Sequence, residues 1–158
     1  MASPTPQISH FNKPFDALLQ LQDDASAITA SGNGTVGGSA KIVDLAQGAD
    51  SIAVVQAEAI IDVNSLDVAS GDELYRIQIQ GSTSSSFASG IVVLGELLLG
   101  DSSVTGESAD SVISPIKRFK VPFWNVKYNT VFRYVRVRFV LSGTTPSLDA
   151  EAYVTMPS

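Results

Sequence analysis

Along most of this chain apolar side chains recur at every second position, a period that fits strands with one face in a core and one in water. Between Ser51 and Val63 the odd positions Ala53, Val55, Ala57, Ala59, Ile61 and Val63 are all apolar, while the even positions mix Gln56, Glu58 and Asp62 with Val54 and Ile60. Tyr75, Ile77 and Ile79 alternate with Arg76, Gln78 and Gln80; Val135, Val137, Phe139 and Leu141 with Tyr134, Arg136 and Arg138; Ala150, Ala152 and Val154 with Glu151, Tyr153 and Thr155. Ile91–Leu99 is apolar on both faces except at Gly95 and Glu96, which suits a strand covered on both sides or a subunit contact. Ala27–Ala30, Lys41–Leu45 and Lys117–Val121 are shorter candidates. The only helical temptation, Pro14–Asp24, is too short to weigh against them. Glycine- and serine-rich turns punctuate the strands, as at Ser31-Gly32-Asn33-Gly34 and from Gly81 to Gly90. About eight strands without a convincing helix predict an all-β fold, an antiparallel β-sandwich or jelly roll.

A chain of 158 residues suits one domain. Residues 15–158 are expected to form it, behind an extended arm over residues 1–14 that contains Pro4, Pro6 and Pro14. With no cysteine, disulfides, thiolate metal sites and a cysteine nucleophile are excluded, and His10 is the one histidine for a triad or metal centre. No apolar run is long enough to span a membrane, and the first residues lack the basic start and apolar core of a signal peptide, so a soluble domain made inside a cell is expected.

The net charge of −6 conceals a division. Residues 1–110 carry 14 acidic and three basic side chains, whereas residues 111–148 carry no acid and seven bases: Lys117, Arg118, Lys120, Lys127, Arg133, Arg136 and Arg138. Two readings compete. The basic block either meets an acidic partner, a second copy of the chain included, or is a solvated strand face neutralised by acids on neighbouring strands.

Motifs for chemistry are weak. Gly32-Asn33-Gly34-Thr35-Val36-Gly37 matches the dinucleotide fingerprint letter by letter, but strand-like Lys41–Leu45 follows where a helix is needed, so a turn is preferred. Asp62 to Glu73 has calcium-loop length without the required glycine, although a looser carboxylate site stays open. The pairs Asp23-Asp24 and Asp72-Glu73 read as solvated turns rather than general acid and base. Ser82–Ser86 has no nucleophile elbow. Asn33-Gly34-Thr35 is a glycosylation sequon that needs a secretory route. The expectation is a protein that is not an enzyme and uses no cofactor or metal.

The best constellation is basic and aromatic: Phe119, Phe123, Trp124, Tyr128, Phe132 and Tyr134 among the seven cations. Packing of Phe119, Phe123 and Trp124 in the core at a β-hairpin comes first, a protein interface second, and single-stranded nucleic acid third, because the rest of the chain is acidic.

Phe15-Asp16-Ala17-Leu18-Leu19, Asp24–Ser31, Lys41–Leu45, Ile77–Thr83 leading to Phe87, and above all Arg133–Gly143 give an order of features that resembles the jelly-roll capsid cement, or decoration, proteins of tailed bacteriophages. The resemblance covers most of residues 15–156 and departs from the family at the polar Leu99–Ser114 loop and the arm ahead of Phe15. It implies a structural virion protein, made in the host cytoplasm, that binds the outside of an icosahedral head and staples neighbouring major capsid protein subunits. It implies no turnover, no cofactor, no membrane and no direct nucleic-acid contact. Lys117, Arg118, Lys120, Arg133, Arg136 and Arg138 are expected to supply charge to that contact, and Phe11, Phe15 and Trp124 to anchor it. Ile91–Leu99 is the candidate surface for a homodimer or homotrimer. Alternatives are a carbohydrate-binding sandwich with Trp124 and Tyr128 as a sugar platform, a head–tail or tail structural protein, and a hydrolase using a carboxylate pair.

Overall fold

The computed structural model describes residues 17–46, 53–101 and 112–155, with side chains at all of these except 112–116. Ala17–Leu19 makes one 3₁₀ turn where the helical temptation lay, and the chain then runs as strands. These are β1 (Gln20–Gln22), β2 (Gly32–Asn33), β3 (Thr35–Val36), β4 (Ser39–Ala40), β5 (Val43–Asp44), β6 (Gln56–Leu66) and β7 (Leu74–Ser82). They continue as β8 (Val92–Gly100), β9 (Val112–Trp124), β10 (Val126–Lys127), β11 (Thr130–Val131), β12 (Tyr134–Ser142) and β13 (Leu148–Thr155). Ala27–Ala30 forms no strand and contributes one bridge, Ile28 to Leu148.

Two antiparallel sheets make the sandwich. Sheet one has the order β1-β13-β6-β9; sheet two has β2-β12-β7-β8, with β5 also pairing β12. The long strands β7 and β12 pair without a register shift from Tyr134↔Ser82 to Ser142↔Leu74, so both keep one face inward over their whole length.

The inner face of sheet one sets small side chains beside large ones, Ala57 beside Phe123, Ala59 beside Val154, Ala152 beside Ile61 and Ala150 beside Val63, a relief that suits interdigitation. Sheet two packs Tyr75, Ile77, Ile79, Val135, Val137 and Phe139 against it, all at most 1% exposed. Leu94, Leu97 and Leu99 of the edge strand β8 also pack on this core, whereas Leu98 faces out. Tyr75 fastens the loops at one end. Its hydroxyl donates to the Asp67 carbonyl at 2.5 Å and accepts the Ser147 N–H at 2.9 Å.

The glycines of the fingerprint-like segment serve this fold. Gly37 and Gly38, at φ 59° and 77°, turn the β3–β4 hairpin. Gly34 sits where the chain passes between sheets; its N–H bonds Val137 O at 2.9 Å, and a Cβ there would collide with the Leu21 carbonyl and a Val137 methyl.

Candidate partner-binding face

The seven cations are contiguous in sequence but are divided in space. Lys117, Arg118, Lys120 and Trp124 lie on β9, at an edge of sheet one; Arg136 and Arg138 lie on β12, inside sheet two, with Arg133 just before it. The two strands are not partners. β9 pairs with β6 and β12 with β7, and the short β10–β11 hairpin carries the chain across from one sheet to the other. Phe11 and Phe15, like the arm over 1–14 and most of the Leu99–Ser114 loop, lie outside the described residues.

Two arginines of the basic block find acids on neighbouring strands, as the neutralised-face reading expects, and so does Arg76 outside it. Arg118 stands opposite Asp62 in the β6–β9 register and grips it with both fork nitrogens, Nε at 2.7 Å and Nη2 at 2.6 Å. This bond raises the Arg118 pKa against a smaller opposing effect of burial. The guanidinium also lies 6.0 Å from the centre of the buried Tyr153 ring. Arg133 holds Asp44 in the same two-pronged way, each bond at 2.8 Å. Arg76 meets Glu96 at 3.7 Å, an open surface pair of little energetic weight.

Arg136 and Arg138 differ. Alternation with buried Val135, Val137 and Phe139 turns both to the outer face of sheet two, opposite Gln80 and Gln78 of β7. Neither meets a carboxylate among the described residues. Arg136 Nε donates to Gln80 Oε1 at 3.0 Å, Gln80 Nε2 to Gln78 Oε1 at 3.1 Å, and Gln78 Nε2 to Glu96 Oε2 at 2.9 Å. The chain of amides is oriented by its charged ends: a guanidinium must donate at one and a carboxylate must accept at the other. Arg138 turns the other way, its Nη1 donating to Asn33 Oδ1 of β2 at 3.2 Å.

The serine-rich β7–β8 loop completes the setting. Ser84 N–H bonds Ser82 Oγ and Phe87 N–H bonds Ser84 O, a turn that leaves Phe87 at φ 51°, a backbone conformation unfavourable for an aromatic residue. The Phe87 ring is 5% exposed, and its centroid lies 4.3 Å from the Arg136 guanidinium carbon. Burial, and then the Arg138 charge, lower the Arg136 pKa. Arg136 is thus held by an amide and an aromatic ring beside a like charge.

Phe123 and Phe132 are core residues, while Trp124 and Tyr128 are 54% and 81% exposed. Tyr128 and Asn129 form the β10–β11 turn with φ of 52° and 61°. Glu73, wholly buried, accepts the N–H groups of Ser70, Gly71 and Asp72; Asp72 accepts from Thr144, and Asp23 accepts the Gly37 N–H. No group of three or more metal-ligating side chains occurs among the described residues, and no helix there is long and apolar enough to cross a membrane.

Sequence reasoning singled out Arg136 and Arg138 but missed Asn33, Gln78, Gln80 and Phe87 as their setting. The register of the β7 glutamines against β12 was the available signal, and a sequence alone does not say which strands pair. A comparison of the chain with protein-family models and with curated proteins finds no match.

Proposed function

We propose that this is a contact-making structural protein of the capsid-decoration kind, attached to the outside of an assembled protein shell. The observation that carries the reading is the uneven pairing of charge. In a chain with six more acids than bases, Arg118 and Arg133 are clasped by carboxylates, while Arg136 and Arg138 stand on an outer sheet face with none among the described residues. An open face of that sign suits a partner surface of the opposite sign. Taking the eight main strands in order as β1, β2, β6, β7, β8, β9, β12 and β13, the sheets read 1-8-3-6 and 2-7-4-5. That order supports the jelly-roll expectation, two interlocked Greek keys. Shell attachment needs modest energy per copy where contacts are linked across many sites.

The test is to mix the purified protein with undecorated, assembled heads of tailed bacteriophages. Co-sedimentation at fixed stoichiometry, with matching density on the outer surface by cryo-EM, is the expected result. Density at the tail, or none, would overturn the reading. Exposed Trp124 and Tyr128 favour a second reading, a sugar platform, and binding on a glycan array that is lost in Trp124→Ala and Tyr128→Ala would establish it.

A further inference from the structure

We propose that Arg136 and Arg138 form a receptor for an extended acidic segment of another protein, each guanidinium taking one of two carboxylates at alternate positions of that segment. The two arginines are i and i+2 on one strand, so their backbone origins are about 6.6 Å apart, the same repeat that an extended peptide presents on one side. Their heads are drawn apart rather than together: Arg136 is bonded toward β7 through Gln80, and Arg138 toward β2 through Asn33. Two separated charges match two carboxylates better than one compact anion.

Arg136 is prepared in advance. Gln80, 7% exposed, fixes its Nε, and the guanidinium carbon lies 4.3 Å over the Phe87 ring, which a strained turn holds in place, so little side-chain freedom remains to be lost on binding. Its terminal nitrogens make no hydrogen bond among the described residues, whereas Arg118 and Arg133 spend theirs on Asp62 and Asp44. Lysine would carry the charge but not the planar fork. The site deepens the decoration reading by naming what the shell would offer, and it stands on its own if the partner is a different protein.

The test uses the intact protein and two synthetic peptides, one with glutamate at alternate positions and one with glutamine there instead. The glutamate peptide is expected to shift the side-chain Nε–Hε resonances of Arg136 and Arg138, and the glutamine peptide to leave them in place. Arg136→Gln/Arg138→Gln should weaken binding by about tenfold or more, and Arg136→Lys by less. If the double variant fails to fold, Arg138→Gln alone, which gives up only the Asn33 bond, serves in its place. Unchanged affinity in the variants would overturn the proposal. So would arginine shifts with inorganic phosphate but not with the glutamate peptide, or shifts produced only by raising the protein concentration, which would make a second copy the occupant. Peptide binding without decoration of heads would refute the shell reading and leave this site intact.

Discussion

Arg118 and Arg136 show how one residue type does two jobs in one chain. Asp62 is 5% exposed, so removing Arg118 strands a buried carboxylate, whereas removing Arg136 strands only the Gln80 carbonyl oxygen. Arg118→Ala is therefore expected to cost about 3 kcal/mol in chemical denaturation, with much of the loss recovered in Arg118→Ala/Asp62→Ala. Equal losses in the single and double variants would show that the arginine's packing over Tyr153 matters more than its charge. Glu151 lies close by, its Oε1 accepting from Gln20 Nε2, and its pKa is raised by burial first and by the Asp24 and Asp62 charges next. A carboxyl with a raised folded-state pKa binds its proton more firmly in the folded protein. Its contribution is most favourable below the ordinary carboxylate range and is lost as pH rises through the raised value. Glu151→Gln should therefore raise the melting temperature at neutral pH and leave it unchanged near pH 3, a gain of less than about 1 kcal/mol for a group that is only half-buried. A gain that is the same at both pH values would sink the assignment.

At the scale of elements, local alternation was legible and partnership was not. The β12 pattern assigns Val135, Val137 and Phe139 to the core and Arg136 and Arg138 to the outside, and the structure agrees residue by residue. The same period says nothing about which sheet a strand joins. Seven neighbouring cations therefore read as one basic block until the crossing between β9 and β12 separates them. In β6 the period holds at Ala57, Ala59, Ile61 and Val63, yet Ile60 and its cross-strand partner Tyr153 on the opposite face are also buried at 1%. Alternation marks the side that must be buried and cannot exclude cover on the other. Gly34 was legible only as turn chemistry, because its need for a bare Cα comes from Leu21 and Val137, far away in sequence. Gly34→Ala is expected to cost about 2–3 kcal/mol through overpacking at this crossing, although its φ is one that alanine adopts freely. Gly37→Ala, in open space at φ 59°, should cost about 1 kcal/mol from backbone strain alone. Denaturation midpoints that reverse this order would show that the strands relax around the added methyl.

For the whole molecule the division of charge has a kinetic consequence. The chain carries −6 overall, so an acidic surface repels it at distances where only the sum is felt, and attracts it once Arg136 and Arg138 come close. The two effects respond differently to salt. Screening acts over about 30 Å at 0.01 M ionic strength and about 8 Å at 0.15 M, so modest salt removes the long-range repulsion first and weakens the short-range pairs later. Association with an acidic surface is therefore expected to quicken from low to intermediate salt and to slow again toward 1 M, giving a maximum in the on-rate measured by surface resonance or stopped flow. In Arg136→Gln/Arg138→Gln the repulsive limb should remain and the falling limb should flatten, because the pairs that high salt weakens are no longer there. An on-rate that falls steadily with salt in the wild-type protein would mean that the acidic body takes no part in the encounter, and that the local field of Arg136 and Arg138 steers the approach by itself.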